Sequence, residues 1–289
     1  MFAERSSIVV KQHMRMRKTW LCLVAVMVLA CLLAGCSDDP GRASVRSPRI
    51  IVTSDTILSD MVTSLLPAHR YSVAAILPAG QCPGHYDVKL KDIEKMKTAA
   101  LNVSFTGLSF MDKAGLDDRV RLVVDAGNRN WMAPDSYIYG LGLLADRLSE
   151  RFPEDKGEIA RRKEDAIRRV RQETGTLLQE IKQAGIFGKP VIASSMQKEP
   201  LECMGFRVVG EYGRPEAMSA KDVVELARIG RDRRAIMIVD NLQSGPDAGR
   251  GIAETLKVSH VVLTNFPSEK GYLTTLGENV NILLAAVRK

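Results

Sequence analysis

The feature that most constrains the fold is a long, charged helix pattern between two blocks of alternating strands and helices. Apolar residues recur every three to four positions through residues 153–185, in a segment otherwise rich in charge. Pro153 precedes the pattern and Gly185 closes it, as is typical of helix ends. A helix of about 27 residues is about 40 Å long at 1.5 Å per residue, the width of a whole domain. The sequence therefore predicts one rod that joins two units.

The blocks on both sides of this rod have the pattern of parallel sheets. Short apolar runs such as residues 49–54 and the start of "ALNVSFTGLSFMDK" alternate with helical segments, and the alternation resumes after residue 189. Strands that alternate with helices at this spacing form parallel sheets with helical crossovers. We therefore predict an α/β fold of two parallel-sheet lobes joined by one long spanning helix. The predicted units are an N-terminal lobe (residues 49–154), a linking helix (155–185) and a C-terminal lobe (186–289).

The N-terminal segment has the features of a secretion signal. An apolar run of 15 residues follows the basic stretch "MRMRKTW" and ends in "LAG" directly before Cys36. This run is short for a membrane span, which needs about 20 residues, and has the length of a signal-peptide core. Small residues before a Cys resemble the bacterial lipobox, in which cleavage precedes a Cys that carries diacylglycerol.

We therefore predict a lipoprotein signal peptide at residues 1–35, lipidation at Cys36 and a flexible tether at residues 36–48. Acyl chains on Cys36 would hold the protein to membrane lipid. The alternative is a transmembrane anchor that happens to contain a Cys. With the lipobox, we expect an exported protein in the periplasm or cell envelope, anchored to a membrane.

The positive charge of the chain lies mostly in that N-terminal segment. The whole chain carries +7, and residues 1–35 hold five basic residues and one acidic residue, so +3 is left for the folded part. Aromatic residues make up only 5%, which leaves few rings for stacking on bases. We therefore expect no nucleic-acid partner.

Several motifs of the folded part resemble those of one family of transport proteins. They are "VTSDTILSDMV", the Pro-Gly loop before "YDVKLKDI", the "TGL" turn, "WMAP" and "YLTTLGENV". In this order, from Arg49 to the C terminus, they resemble the extracytoplasmic solute-binding lipoproteins of zinc and manganese ABC importers. The resemblance implies two α/β lobes on a rigid helix, with a metal bound in the cleft between them. It also implies a monomer that delivers its solute to an ABC permease and is not an enzyme.

The metal ligands that this family normally supplies are mostly replaced here. Family members use His with an Asp or Glu from four loops, a donor set that suits zinc and manganese. The first loop, usually Asp-Pro-His-x-Tyr, reads "CPGHY" at residues 82–86, so its His is displaced by one position. The residues at the other expected positions are Ser109, Arg129, Ser194 with Ser195, and Thr264 with Asn265.

The replacements suggest a cleft that has kept its place and changed its chemistry. An Arg repels a divalent cation and pairs well with a carboxylate or phosphate. The metal-donor candidates that remain are Cys82, His85 and Asp240. The candidates for the cleft lining are Ser109, Arg129, Trp131, Ser194, Ser195, Thr264 and Asn265.

Several of these residues have alternative interpretations. His85 could instead bond backbone in a tight loop or act as a pH switch. Arg129 could pair with Asp125 while Trp131 packs between the lobes. Cys82 and Cys203 could form a disulfide in an oxidising compartment. Such a bond would lock a cleft between the lobes, and two separate thiols fit better. A thiol-dependent enzyme is the weakest interpretation, because no third partner for Cys82 and His85 is evident.

Two functional hypotheses follow. In the first, the chain is the binding component of an ABC importer, and its cargo is a zinc or manganese ion in an atypical site, a metal chelate or a small anion. In the second, the site is degenerate, and the chain is a non-transport lipoprotein that binds a partner protein or a small anion. The loss of the family ligands motivates the second hypothesis.

Overall fold

Two four-stranded parallel sheets form the frame of the protein. The structure is a computed structural model that describes residues 47–288. Both sheets have the same strand order, β2-β1-β3-β4 in the first and β6-β5-β7-β8 in the second. The strands are β1 (Arg49–Thr53), β2 (Tyr71–Ala75), β3 (Leu101–Phe105), β4 (Arg121–Val124), β5 (Pro190–Ser194), β6 (Arg207–Tyr212), β7 (Met237–Asn241) and β8 (Ser259–Leu263).

Helices connect the parallel strands and cover the sheets. They are α1 (Thr56–Leu65), α2 (Leu90–Thr98), α3 (Ser109–Asp112), α4 (Pro134–Arg151), α5 (Lys156–Gln183), α6 (Lys198–Cys203), α7 (Ala220–Arg233), α8 (Arg250–Leu256) and α9 (Tyr272–Val287). The predicted signal peptide, Cys36 and most of the predicted tether lie outside the described residues. Among the residues that are described, no helix is both long enough and apolar enough to cross a bilayer.

The long helix α5 joins the two sheets. Its 28 residues bury one stripe, which includes Ile159, Val170 and Ile181, while the rest of its surface is charged. It contacts α4 and α1 on the side of the first sheet and α9 on the side of the second. The predicted fold of two parallel-sheet lobes joined by one long helix is thus confirmed. The exact lobe boundaries at residues 154 and 186 stay a prediction.

One continuous apolar core runs through both lobes. Successive strand residues point to opposite faces, so Ile51 and Val191 belong to this central core while Val52 and Ile192 face two separate outer clusters. The inner faces of both sheets therefore merge around α5. A shared, close-packed core of this kind restricts the lobes to small relative movements.

A carboxylate on α1 also connects the first lobe to helix α9. Asp60 Oδ1 accepts a hydrogen bond from the backbone N–H of Tyr272 at 3.1 Å, and Oδ2 accepts one from the Tyr137 hydroxyl at 2.7 Å. The rings of Tyr137 and Tyr272 stack with centroids 3.7 Å apart. Burial, together with the Asp60 carboxylate, raises the pKa of Tyr137 well above its ordinary value. Asp60 thus caps the first turn of α9 from another part of the chain.

Candidate functional site: the inter-lobe cavity

Loops from both lobes line one cavity of about 550 Å³. The loops follow strands β1, β2, β3 and β4 in the first lobe and β5 and β8 in the second. Because ligands of open α/β sheets bind beyond the carboxyl ends of the strands, this is the place where the fold favours a binding site. The central part of the wall is the segment 126–131, which connects β4 to α4.

All five loop segments singled out in the sequence reach this cavity. Arg129, Trp131, Ser195 and Asn265 line it directly. The first loop contributes Pro83, and the "TGL" turn contributes Leu108.

Three of the predicted lining residues do not lie on the cavity wall. Ser109 begins α3 and leaves the wall position to its neighbour Leu108. Ser194 is buried as the last residue of β5. The Thr264 hydroxyl donates to the backbone oxygen of Phe266 at 3.0 Å. Each is one residue away from a residue that does line the cavity, so the prediction located the loop and missed the side-chain direction.

The structure does not bring Cys82, His85 and Asp240 together as metal ligands. Within residues 47–288, no group of three or more His, Cys, Asp or Glu side chains is placed to hold a metal ion. His85 is exposed in a short 3-10 turn, where its backbone N–H donates to the Cys82 carbonyl at 3.1 Å. The Cys82 sulfur lies 3.5 Å from Nη2 of Arg214. A cation next to this thiol opposes the binding of a metal ion there.

Asp240 instead organises a polar cluster inside the second lobe. Its side chain is fully buried. Its carboxylate accepts hydrogen bonds from the Tyr212 hydroxyl and from the Gly249 N–H at 3.0 Å, and lies 2.6 Å from Nε2 of His260. Burial and the neighbouring carboxylate raise the pKa of Tyr212 far above its ordinary value. Asp240 lies near the carboxyl end of β7, the edge where this fold places ligands, but its partners make it structural.

Cys82 and Cys203, the two cysteines within residues 47–288, are free thiols there, which agrees with the expectation of two separate thiols over a disulfide. The Cys203 sulfur lies 3.9 Å from Oδ2 of Asp135. Burial, with Asp135 as the second cause, raises the pKa of the Cys203 thiol to about 11 from an ordinary value of 9.0. The thiolate is the nucleophile, so a raised pKa makes this thiol inert near neutral pH.

We therefore expect Cys203 to react slowly with iodoacetamide at pH 8. The thiolate fraction there is about one in a thousand, and the rate should rise about tenfold per pH unit up to pH 10. The pKa of the Cys203 thiol is higher in the folded protein than in the unfolded one. Its contribution to the stability of the fold is therefore present below pH 9 and is lost as the pH rises through about 11. Peptide mapping by mass spectrometry measures the rate. Labelling of Cys203 at pH 8 as fast as that of a free cysteine would contradict the assignment.

Two residues that the sequence analysis did not single out connect the lobes at the cavity. Glu199 accepts hydrogen bonds from the backbone N–H of Asn130 at 2.6 Å and from the Ser136 hydroxyl. The Asn130 side chain donates to the backbone oxygen of Met196 and, at 2.9 Å, to Oδ1 of Asn265. Asn130 lies between Arg129 and Trp131 in the sequence, so these two predicted lining residues weakly indicated that Asn130 also reaches the cavity. Nothing in the sequence marks Glu199, because its partners lie far away along the chain.

A second acid on the wall, Asp55, caps helix α1. Its Oδ1 accepts hydrogen bonds from the backbone N–H groups of Ile57 and Leu58, at 3.0 and 3.1 Å. Its Oδ2 accepts one from the Ser54 hydroxyl at 2.6 Å. Burial raises the pKa of Asp55 above its ordinary value. Asp55 therefore caps α1, and these bonds leave its carboxylate little capacity for a ligand.

Trp131 and Arg129 offer donors at the same wall. The Trp131 side chain is buried against Phe105, with ring centroids 4.6 Å apart, and its Nε1 has no hydrogen-bond partner in the described part of the chain. Gly140 leaves room for this ring, because a Cβ at that position would lie 2.9 Å from the indole. The Arg129 guanidinium lies over the ring of Tyr139, 4.3 Å from its centroid, and not beside Asp125.

Two α/β lobes on one long helix, with a cavity between their loops, define the class of two-lobed extracytoplasmic binding proteins. The family described as the periplasmic zinc-uptake complex component A matches residues 51–286, and the chain belongs to this family. The resemblance noted in the sequence is thus confirmed. Among curated protein sequences, none matches the chain.

Solved structures have the same fold at low identity. A cadmium-bound periplasmic metal-binding protein from Candidatus Liberibacter asiaticus has a TM-score of 0.70 at 14% identity, over 82% of this chain and 98% of that one. The periplasmic zinc-binding protein TroA from Treponema pallidum has a TM-score of 0.67 at 16% identity, over 83% of this chain and 99% of that one. A crystal structure of ZnuA has a TM-score of 0.68 at 12% identity, over 83% and 99%.

Proposed function

We propose that this chain is the solute-binding lipoprotein of an ABC importer and carries a zinc- or manganese-type metal species in the inter-lobe cavity. The observation that supports this most is the meeting of all five candidate loop segments at one cavity between the lobes. Family membership supports an extracytoplasmic location and a membrane permease as the partner. Binding and release are sufficient for this role, which requires no covalent step.

The fold suits capture by small movements. Helix α5 and the shared core hold the lobes together, and the Asn130 and Glu199 contacts lie at the edge of the cavity. We therefore expect rocking of the lobes instead of wide hinge closure. In this proposal the protein acts as a monomer outside the inner membrane. Lipid on Cys36 and the tether at residues 36–48 keep it close to its permease.

Blocking the cavity tests this role. Ser195 is exposed on the cavity wall, and none of the described hydrogen bonds involves its hydroxyl, so Ser195→Trp should fill the space without disturbing the core. In a strain that lacks the gene, grown with limiting metal, we expect cellular zinc or manganese to fall. Wild type should restore it, Ser195→Trp should not, and Thr255→Trp on the exposed face of α8 should restore it fully. Elemental analysis of washed cells is the measurement.

Two outcomes would count against the proposal. If Ser195→Trp restored cellular zinc or manganese as well as wild type does, the cavity would have no role in transport. Unchanged zinc and manganese in the deletion strain would favour the non-transport alternative, in which a lipoprotein of this fold binds a partner protein or a small anion.

A further inference from the structure

The cavity is much larger than a bare metal ion requires. Its volume of about 550 Å³ falls in the range of about 300–1,000 Å³ that is typical of pockets for small organic ligands. A large part of its wall is apolar and comes from both lobes: Ile57, Phe105, Leu108, Met196 and Phe266. Such walls accept the hydrocarbon part of an organic molecule, whereas they contribute nothing to the coordination of an ion.

Two of the three acids that line this wall are already engaged. Asp55 accepts two backbone N–H groups and a hydroxyl, and Glu199 accepts a backbone N–H and a hydroxyl. Glu202 also lines the cavity, at an exposed position. Lys198 lies 3.1 Å from Oε2 of Glu211, so its charge is compensated. Among residues 47–288, the wall therefore offers no cluster of free acids that could replace the shell of a bare divalent cation.

The donors on the same wall are less well satisfied. Trp131 Nε1 is buried and finds no acceptor among residues 47–288, which is costly for a polar group unless a ligand provides one. Arg129 lines the cavity and forms no ion pair with any acid of the described chain, and its guanidinium lies 4.3 Å from the centroid of the Tyr139 ring. A guanidinium presents its N–H groups in a fork, which matches a carboxylate.

We infer that the cargo is a small organic molecule with carboxylate groups, either alone or as the chelate of zinc or manganese. Arg129 binds a carboxylate, Trp131 Nε1 donates to an acceptor atom, and the apolar wall covers the carbon skeleton. In the chelate, the organic molecule supplies the ligands that this chain has lost at residues 84, 109 and 129. The inference rests on the proposed function, because it assumes that the inter-lobe cavity is the cargo site.

Titration with defined chelators tests the inference. The chain has two tryptophans, and Trp20 lies in the predicted signal peptide, so the mature lipoprotein, purified in detergent, has Trp131 as its only one. The probes are citrate, nitrilotriacetate and EDTA, each with and without one equivalent of zinc, and zinc chloride alone. Trp131 fluorescence and calorimetry report binding. Binding of a probe without zinc identifies a carboxylate cargo, and binding only with zinc identifies a chelate.

We expect at least one carboxylate probe to bind, and Arg129→Gln to weaken that binding about tenfold or more, as expected for the loss of a charge-assisted hydrogen bond. Arg231→Gln is the control, because it removes the same charge from an exposed position on α7. It should change the affinity less than about twofold. Arg129 is itself exposed, so its variant should unfold at the same temperature as wild type.

Two results would overturn the inference. One is stoichiometric binding of zinc chloride alone that Arg129→Gln leaves unchanged or strengthens. The other is a lack of binding by all three carboxylate probes. Neither result affects the cellular test. If Ser195→Trp lost metal uptake and the protein bound bare zinc tightly, the importer role would stand and only the organic cargo would be rejected.

Discussion

Asp240→Ala is expected to lower the free energy of unfolding by about 3–5 kcal/mol. The buried carboxylate accepts from the Tyr212 hydroxyl and the Gly249 N–H and contacts the His260 ring. Alanine would leave these groups without their acceptor in a place that water does not reach. It would also create a small cavity beside the outer core of the second lobe. The loss should therefore be far larger than for an average surface acid.

Asp232→Ala is the matched control. Asp232 is 56% exposed and pairs with Arg228 on the surface of α7, so its loss should cost less than about 1 kcal/mol. Urea unfolding followed by circular dichroism measures both variants. A loss below 1 kcal/mol for Asp240→Ala, combined with a loss of solute binding, would contradict the structural role and return Asp240 to the list of cargo ligands.

Asp60→Ala is the second large effect, with an expected loss of about 2–4 kcal/mol. The buried Tyr137 hydroxyl would lose its acceptor, and the first turn of α9 would lose its cap. Both bonds join α1 to parts of the chain that lie far away in sequence, so the variant should also loosen the packing of α9. Asp60→Asn keeps an acceptor oxygen in the same position and should cost about half as much.

A double-mutant cycle isolates the bond to Tyr137. Asp60→Ala and Tyr137→Phe should be non-additive, with a coupling energy of about 1–2 kcal/mol, because each removes the same hydrogen bond. Chemical unfolding of the four proteins provides the cycle. Additive losses would show that the two side chains act independently, against the geometry described here.

The fold could be predicted because its pattern is local. Alternating strands and helices, and the apolar stripe of α5, are visible in windows of ten to thirty residues. The caps were also local: Asp55 precedes α1 and accepts the N–H groups two and three positions later. The equal strand order of the two sheets depends on long-range pairing, and no pattern in the sequence determines it.

The cavity could be predicted at the level of loops and not of side chains. Within the same loop, Ser195 lines the cavity and Ser194 is buried, because neighbouring residues at the end of a strand point in opposite directions. The contact between Asn130 and Glu199 joins residues 69 positions apart, and nothing local indicates it. Asp240 was misleading for the opposite reason. The carboxyl end of a strand is a typical place for a ligand residue, but the groups that Asp240 binds belong to the folded lobe.

Native mass spectrometry tests most directly whether the cavity between the lobes is the cargo site. The protein would be isolated from the membranes of its own organism, as wild type and as Ser195→Trp, and elemental analysis would determine any bound metal. We predict one small organic solute per wild-type chain, with or without zinc or manganese, and none in the variant. The same solute retained at the same stoichiometry by Ser195→Trp would contradict the claim.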